Sequence, residues 1–267
     1  MKASLGQYAF FRALGNHSRR VLRNIDQLIW PPRSLVTGDQ IAGPGLIEVE
    51  YWLDIKFLNM PVCCRCGAPF EAMHDVGDAY ELVECAACIA RKPAFDRARA
   101  VFIYDDLTSR IILRFKNGAD RNGLKLMSQW CVDVAGDLVR DADFVMAVPL
   151  HASRLRSRGY NQSLWLAAAI ARRRDLKLAH HILKRRRNTP SQAGRSAVGR
   201  QKNVEGAFHI AERHRKKLAG KRVLLVDDVY TTGATVEACC RALKRSGATS
   251  VDVITLSRVV SPTDPTI

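Results

Sequence analysis

The spacing of apolar residues changes near residue 98. Before it, Val21, Leu22, Ile25, Leu28 and Ile29 fall on one stripe and predict an amphipathic helix over 18–30. Pro31 and Pro32 end it. Residues 33–62 show no period, and 63–92 are dominated by cysteine. After it, strand and helix patterns alternate. RARAVFIYD reads as a strand, and 107–116 and 122–139 read as helices broken near Gly118. DFVMAVPL reads as a short buried parallel strand. SLWLAAAIARRR reads as a helix capped by Asn161 or Ser163. The stretch 185–203 has no apolar period and reads as a long loop. VLLVDDV is a second buried strand. Val236, Cys239, Cys240 and Leu243 then mark a helix ending near Gly247, and SVDVITLSRV closes the pattern. Such alternation predicts an α/β fold with a doubly wound, mostly parallel sheet over 98–267. A smaller N-terminal domain is expected over 1–97.

Composition narrows the class. With 25% charged residues and 7% aromatics, the 267-residue chain has an ordinary globular make-up. No apolar run approaches the roughly 18 residues of a membrane span, so no membrane insertion is expected. The first twenty residues lack a continuous apolar core and a small-residue cleavage site. The expectation is a cytoplasmic protein with no secretory signal and with reduced cysteines. Charge is placed unevenly. Residues 151–222 hold twenty Lys and Arg against Asp175, Glu205 and Glu212, a net of +17, within a chain total of +16. A block this basic, interleaved with Gly, Asn, Gln and Ser, implies an anionic partner, either a phosphate ligand or nucleic acid.

Cys63-x-x-Cys66 and Cys85-x-x-Cys88, 18 residues apart, have the spacing of a four-cysteine zinc site. Four thiolates leave no open position, so such a site is structural. Gly67 allows the tight turn a knuckle needs, and Cys64 is an alternative partner for Cys66. Cys131, Cys239 and Cys240 read as core residues. His180, His181, His209 and His214 read as surface residues without ligand spacing.

The chemistry concentrates in VLLVDDVYTTGAT. A buried strand is expected to end at Asp227 and Asp228, and Tyr230-Thr231-Thr232-Gly233-Ala234-Thr235 leads into a helix. Ligands bind at the carboxyl ends of strands in open parallel sheets. A helix N-terminus offers unpaired N–H groups to a phosphate. Thr231, Thr232 and Thr235 add hydroxyls, and Gly233 permits close approach. Two adjacent carboxylates suit a ribose diol, directly or through Mg²⁺.

This segment resembles the phosphoribosyl pyrophosphate signature of type I phosphoribosyltransferases. The chain more closely resembles the ComF family, through CCRCGAPF (63–70), VPLHASRLRSRGYNQ (148–162), TPSQAGRSAVGRQKNVEGAF (189–208) and the acidic loop. The resemblance implies a zinc-ribbon N-terminal part joined to a type I phosphoribosyltransferase fold, with a link to DNA uptake. It implies that Asp227 and Asp228 hold ribose, and that Tyr230 to Thr235 hold the 5′-phosphate of phosphoribosyl pyrophosphate with Mg²⁺. Arg154 and Arg158, in an Arg-rich loop, become pyrophosphate candidates, or else solvated arginines. Residues 185–203 resemble the closing lid of this fold, which brings in Arg187, Arg195, Arg200 and Lys202. Family members often carry two ribbons. Here Ser34, Thr37, Ile47 and Glu50 stand at the first ribbon's cysteine positions, so one zinc is expected.

Three functions fit these readings: phosphoribosyl transfer to a nitrogenous acceptor, single-stranded DNA handling through residues 151–222, and a non-catalytic phosphoribosyl sensor. Few aromatics stand in the basic block to stack bases, namely Tyr160, Trp165 and Phe208.

Overall fold

The structure, a computed structural model, describes residues 32–41, 46–59, 61–70, 83–117, 123–187, 204 and 206–260. The expected helix over 18–30 and the lid candidates Arg195, Arg200 and Lys202 lie outside them.

Five parallel strands form the sheet, in the order β1-β7-β6-β2-β3. They are β1 (Ala98–Ile103), β2 (Phe144–Ala147), β3 (Lys177–Leu178), β6 (Arg222–Tyr230) and β7 (Ser250–Arg258). A separate antiparallel hairpin pairs β4 (Leu183–Arg185) with β5 (Phe208–Ile210). The main helices are α1 (Asp106–Lys116), α2 (Leu124–Val134), α3 (Ala152–Arg158), α4 (Gln162–Arg173) and α5 (Ala234–Arg245).

The two-residue period of a strand divides the core into two faces. On β6, Val223 and Leu225 join a cluster with α5, while Leu224 and Val226 join another with α2 and α4. On β7, Val251 and Val253 face the first cluster, Ile254 and Leu256 the second. All nine residues of β7 are buried, because it runs between β1 and β6 and is covered on both faces. The segment read as closing the pattern thus lies inside the sheet. The knuckle cysteines share the α5-side cluster, so residues on either side of position 97 have one continuous core.

Several local expectations need correction. The helix read over 122–139 breaks at Ala135 (φ −123°, ψ 34°) into α2 and a short helix at Gly136–Asp141. Arg185 is not in a loop but ends β4, paired with Phe208. The Arg-rich segment after Leu150 is helix α3, stopped by Gly159 at φ +79°. His214 is buried, unlike the exposed His180 and His181. β6 does not stop at the acidic pair but continues to Tyr230, paired with Arg258 on β7.

Candidate functional site

The end of β6 is stepped. Its pairing with β2 stops at Val226, whereas its pairing with β7 runs on to Tyr230. Asp227 and Asp228 therefore follow the last β2 contact, where the sheet opens at its carboxyl edge. The N-terminus of α4 closes this opening. Asn161 caps it, accepting from Ser163 N at 3.1 Å, which sets the first turn over the acidic pair. Ser163 Oγ donates to Asp227 at 2.9 Å, and Gln162 Nε2 donates to Asp228 at 2.7 Å. Lys116 Nζ, the last residue of α1, lies 3.4 Å from Asp228. Arg158 donates to Gln162 Oε1 at 3.1 Å and so reaches Asp228 through one side chain.

Burial is the main reason Asp227 resists ionisation, and the adjacent Asp228 charge adds to it. Together they raise its pKa to about 7, against the Ser163 hydrogen bond that favours the charged form. Arg185 sits in the same electrostatic neighbourhood. Burial lowers its pKa first, and the nearby Arg154 second, with Asp227 opposing.

Beyond Tyr230 the chain turns through Thr231 and Thr232 to Gly233, which takes φ +70°. A Cβ there would run into the Tyr230 ring, so the turn needs glycine. Gly233 is the N-cap of α5 and offers no side chain to its first N–H groups, which have no partner within the helix. The buried Thr232 hydroxyl finds no partner among the described residues. Helix N–H groups and a waiting hydroxyl around one turn suit a phosphate.

The second centre is sulfur. Sγ atoms of Cys63, Cys66, Cys85 and Cys88 all lie within 4.8 Å of one another, and all four residues are buried. Cys66 and Cys85 sulfurs are 3.6 Å apart. A tetrahedron of ~2.3 Å zinc–sulfur bonds has edges of about 3.8 Å, so the cluster has the size for such an ion. Cys66 N and Cys85 N point at Cys63 Sγ at 3.4 and 3.3 Å. Hydrogen bonds from Cys66 and Cys88 hold Cys63 well below the usual thiol range, and the same contacts hold the other two above it. Four sulfurs this close cannot all be charged unless a cation sits among them. Cys64 is outside the group.

Residues 34–38 repeat the knuckle without sulfur. Ser34 N bonds Asp39 O at 2.8 Å and Gly38 N bonds Ser34 O at 3.0 Å, matching Cys63 N to Ala68 O at 2.7 Å and Gly67 N to Cys63 O at 2.9 Å. Where the metal ligands would converge, the Glu48 carboxylate instead accepts from Ser34 Oγ at 2.7 Å and Thr37 Oγ1 at 3.1 Å. The turn survives although Ser34 and Thr37 offer no thiolate; Ile47 and Glu50 take no part in these bonds.

Thus the structure brings Asp227 and Asp228 together with Gln162, Ser163 and Lys116, which sequence reading passed over. Asn161-Gln162-Ser163 was legible as a helix start, but not as a helix start aimed at the acidic pair. Lys116 gave no signal at all, because its approach depends on how α1 packs.

Residues 161–266 match the phosphoribosyl transferase domain family. The chain is 30% identical over 214 residues to competence protein F of Haemophilus influenzae, covering 75% of this chain and 86% of that protein. It is 28% identical over 204 residues to the DNA utilization protein YhgH of Escherichia coli K12, covering 74% and 85%. It is 27% identical over 208 residues to competence protein ComFC of Bacillus subtilis, covering 76% and 80%.

Proposed function

Because this chain belongs to the ComF family and carries a phosphoribosyltransferase-type fold, we propose that it binds phosphoribosyl pyrophosphate with Mg²⁺ and transfers its phosphoribosyl group to a nitrogenous acceptor. The observation that carries this reading is the junction of an acidic pair with a glycine-capped helix N-terminus on one strand–turn–helix unit. Asp227 and Asp228 are hydrogen-bond acceptors where ribose hydroxyls are donors. Tyr230, Thr231, Thr232, Gly233, Ala234 and Thr235 form the turn for the 5′-phosphate. Arg154 and Arg158 stand on α3, one of them already linked to Asp228 through Gln162. They serve the pyrophosphate with Arg187, and with Arg200 and Lys202 from outside the described residues.

In the reaction, the lone pair of an acceptor nitrogen attacks C1 of the ribose. The C1–O bond breaks with its electrons leaving on pyrophosphate, and the nitrogen's proton passes to water. Cationic side chains around the leaving group stabilise the charge that develops there. The carboxylate oxygens are hard donors that suit Mg²⁺, which neutralises pyrophosphate charge when bound. Lys116, 3.4 Å from Asp228, already holds a cation's place there, so the ion is better carried by the ligand's own oxygens. The four cysteines hold a structural zinc.

Pyrophosphate release, assayed with Mg²⁺ across a panel of nucleobases, tests this function. Release with one acceptor class supports transfer. Tight binding with no release for any acceptor leaves a sensor and contradicts the enzyme.

A second reading rests on charge. Arg172, Arg174, Lys177, Arg186 and Arg187 are exposed in the basic block, which suits single-stranded DNA. The aromatic residues there offer little platform, since Phe208 is buried and Tyr160 and Trp165 stack on each other at 4.4 Å.

A further inference from the structure

The turn that joins α3 to α4, residues 158–163, commits each of its side chains to a polar contact. Gly159 takes φ +79° and ends α3. Tyr160 donates its hydroxyl to the Lys116 carbonyl, and Asn161 Nδ2 donates to the Val148 carbonyl at 3.0 Å. These two bonds pin the turn to the end of α1 and to the residue that follows β2. With the turn pinned, Gln162 and Ser163 reach the acidic pair. Gln162 is only 4% exposed, whereas Arg158, its partner on the other side, is exposed.

The Gln162 amide is held at both ends. Its Oε1 accepts from Arg158 at 3.1 Å, and its Nε2 donates to Asp228 Oδ2 at 2.7 Å. A reversed amide would set its NH2 group against a guanidinium and its carbonyl against a carboxylate, so the two neighbours dictate its orientation. Lys116 Nζ also approaches Asp228 Oδ2, at 3.4 Å. Both donors fall on that one oxygen, and among the described residues no donor meets Asp228 Oδ1. Ser163 holds Asp227 in the same way, by Oδ1 at 2.9 Å. A guanidinium carries five N–H donors, so Arg158 can take an anion and keep its bond to Gln162.

We propose that Gln162 is a positioning residue that couples the two ends of the ligand. Arg158 meets the pyrophosphate, and through Gln162 it also orients the Asp228 carboxylate that accepts from the ribose. This rests on the reading of Asp228 and Arg158 given under the proposed function. Gln162 itself touches neither end of the ligand. Bonds that run in a chain from a cation through an amide to a carboxylate strengthen one another. An anion that fixes the exposed Arg158 side chain therefore fixes the amide, and the amide fixes Asp228. The ribose is gripped more firmly once pyrophosphate is in place, so the site favours intact phosphoribosyl pyrophosphate over ribose 5-phosphate by more than the direct pyrophosphate contacts supply.

The test is calorimetric binding of ribose 5-phosphate, which has no pyrophosphate for Arg158 to touch, to the full chain with Mg²⁺. Arg158→Met removes the donor at an exposed position and should weaken ribose 5-phosphate binding about three- to tenfold, as the loss of one hydrogen bond would. Gln162→Met, close in size to the parent side chain, should weaken it as much. Adding Arg158→Met to Gln162→Met should weaken it no further, because the chain is already cut. Melting curves check that each variant folds. Should Gln162→Met not fold, Gln162→Glu replaces it: its carboxylate keeps the bond to Arg158 but has no donor for Asp228, so affinity should fall again, and parent-like affinity would overturn the relay. Ribose 5-phosphate binding that ignores either single variant overturns the relay and leaves the ribose assignment standing. The same loss from Arg158→Met with and without Gln162→Met also overturns the relay, since the arginine then acts by its charge alone. No binding of ribose 5-phosphate to the parent chain overturns the relay and the ribose reading together.

Discussion

Asp227 ionises near neutrality, where most carboxylates are fully charged. Its folded pKa lies above its unfolded value, so the folded state holds the extra proton between about pH 4 and the folded value of about 7. Its contribution to stability is fully present below pH ~4 and is lost as pH rises to about 7. Asp227→Asn abolishes this titration. Melting curves across that window should show the parent losing stability relative to Asp227→Asn as pH rises; parallel curves would contradict the buried-acid assignment. The charged form is also the better acceptor for ribose hydroxyls. Affinity for phosphoribosyl pyrophosphate should therefore strengthen as pH passes from 6 to 8, checked by titration at fixed Mg²⁺. The two carboxylates were legible as residues, since nothing apolar is gained by placing them after VLLV. Their environment was not, because Ser163, Gln162 and Lys116 reach them from α4 and α1.

At the scale of elements, the two knuckles separate turn geometry from the gathering of sulfur. Both keep the same backbone bonds and a glycine at positive φ, Gly38 at +83° and Gly67 at +69°. Only the second gathers four sulfurs. Elemental analysis of protein purified without chelator should give one zinc per chain, lost in Cys85→Ser; two zincs would mean that the first knuckle binds metal after all. Glu48→Ala leaves two hydroxyls without their acceptor, and should lower stability by ~1–3 kcal/mol in denaturant melts, the cost of an unmade hydrogen bond. No change would show that the Glu48 bonds are not what holds the metal-free turn. The missing thiolates were readable at Ser34 and Thr37. The replacement by Glu48 was not, since it comes from outside the positions aligned with cysteines. β1, β2, β6 and β7 are legible because strands of a buried parallel sheet are continuous apolar runs, whereas β3, β4 and β5, of two or three residues each, are too short to show a period. The end of β6 was read short because Asp227 and Asp228 look like a boundary, while pairing to β7 carries the strand past them.

Across the whole molecule, the central sheet supports both faces of the proposed site, with α4 closing over the acidic pair and the knuckle standing beside the phosphate loop. No helix among the described residues is long and apolar enough to cross a membrane. The basic block gives the DNA reading its own test. Any DNA affinity should fall steeply with salt, and replacing Arg185, Arg186 and Arg187 with Glu should weaken it more than deleting residues 1–97. Equal binding by the triple variant would place the contact elsewhere. Charge placement was fully legible in the sequence. A cavity between the knuckle and the phosphate loop was not, because Arg91, Phe95, Tyr230, Glu237 and Arg258 converge from segments up to 167 positions apart in the chain.

The central claim is that Asp227 and Asp228 hold the ribose of phosphoribosyl pyrophosphate. Without ligand, burial and mutual repulsion make the pair a source of instability. Replacing both with Asn keeps the shape and removes the charge, so Asp227→Asn/Asp228→Asn should melt at the parent's temperature or above it in ligand-free buffer at neutral pH. A ligand raises the melting temperature only through its affinity for the folded state. Phosphoribosyl pyrophosphate with Mg²⁺ should therefore raise the melting temperature of the parent and lose most of that effect on the double variant. An unchanged ligand-induced shift in the double variant would mean that the acidic pair does not bind the sugar.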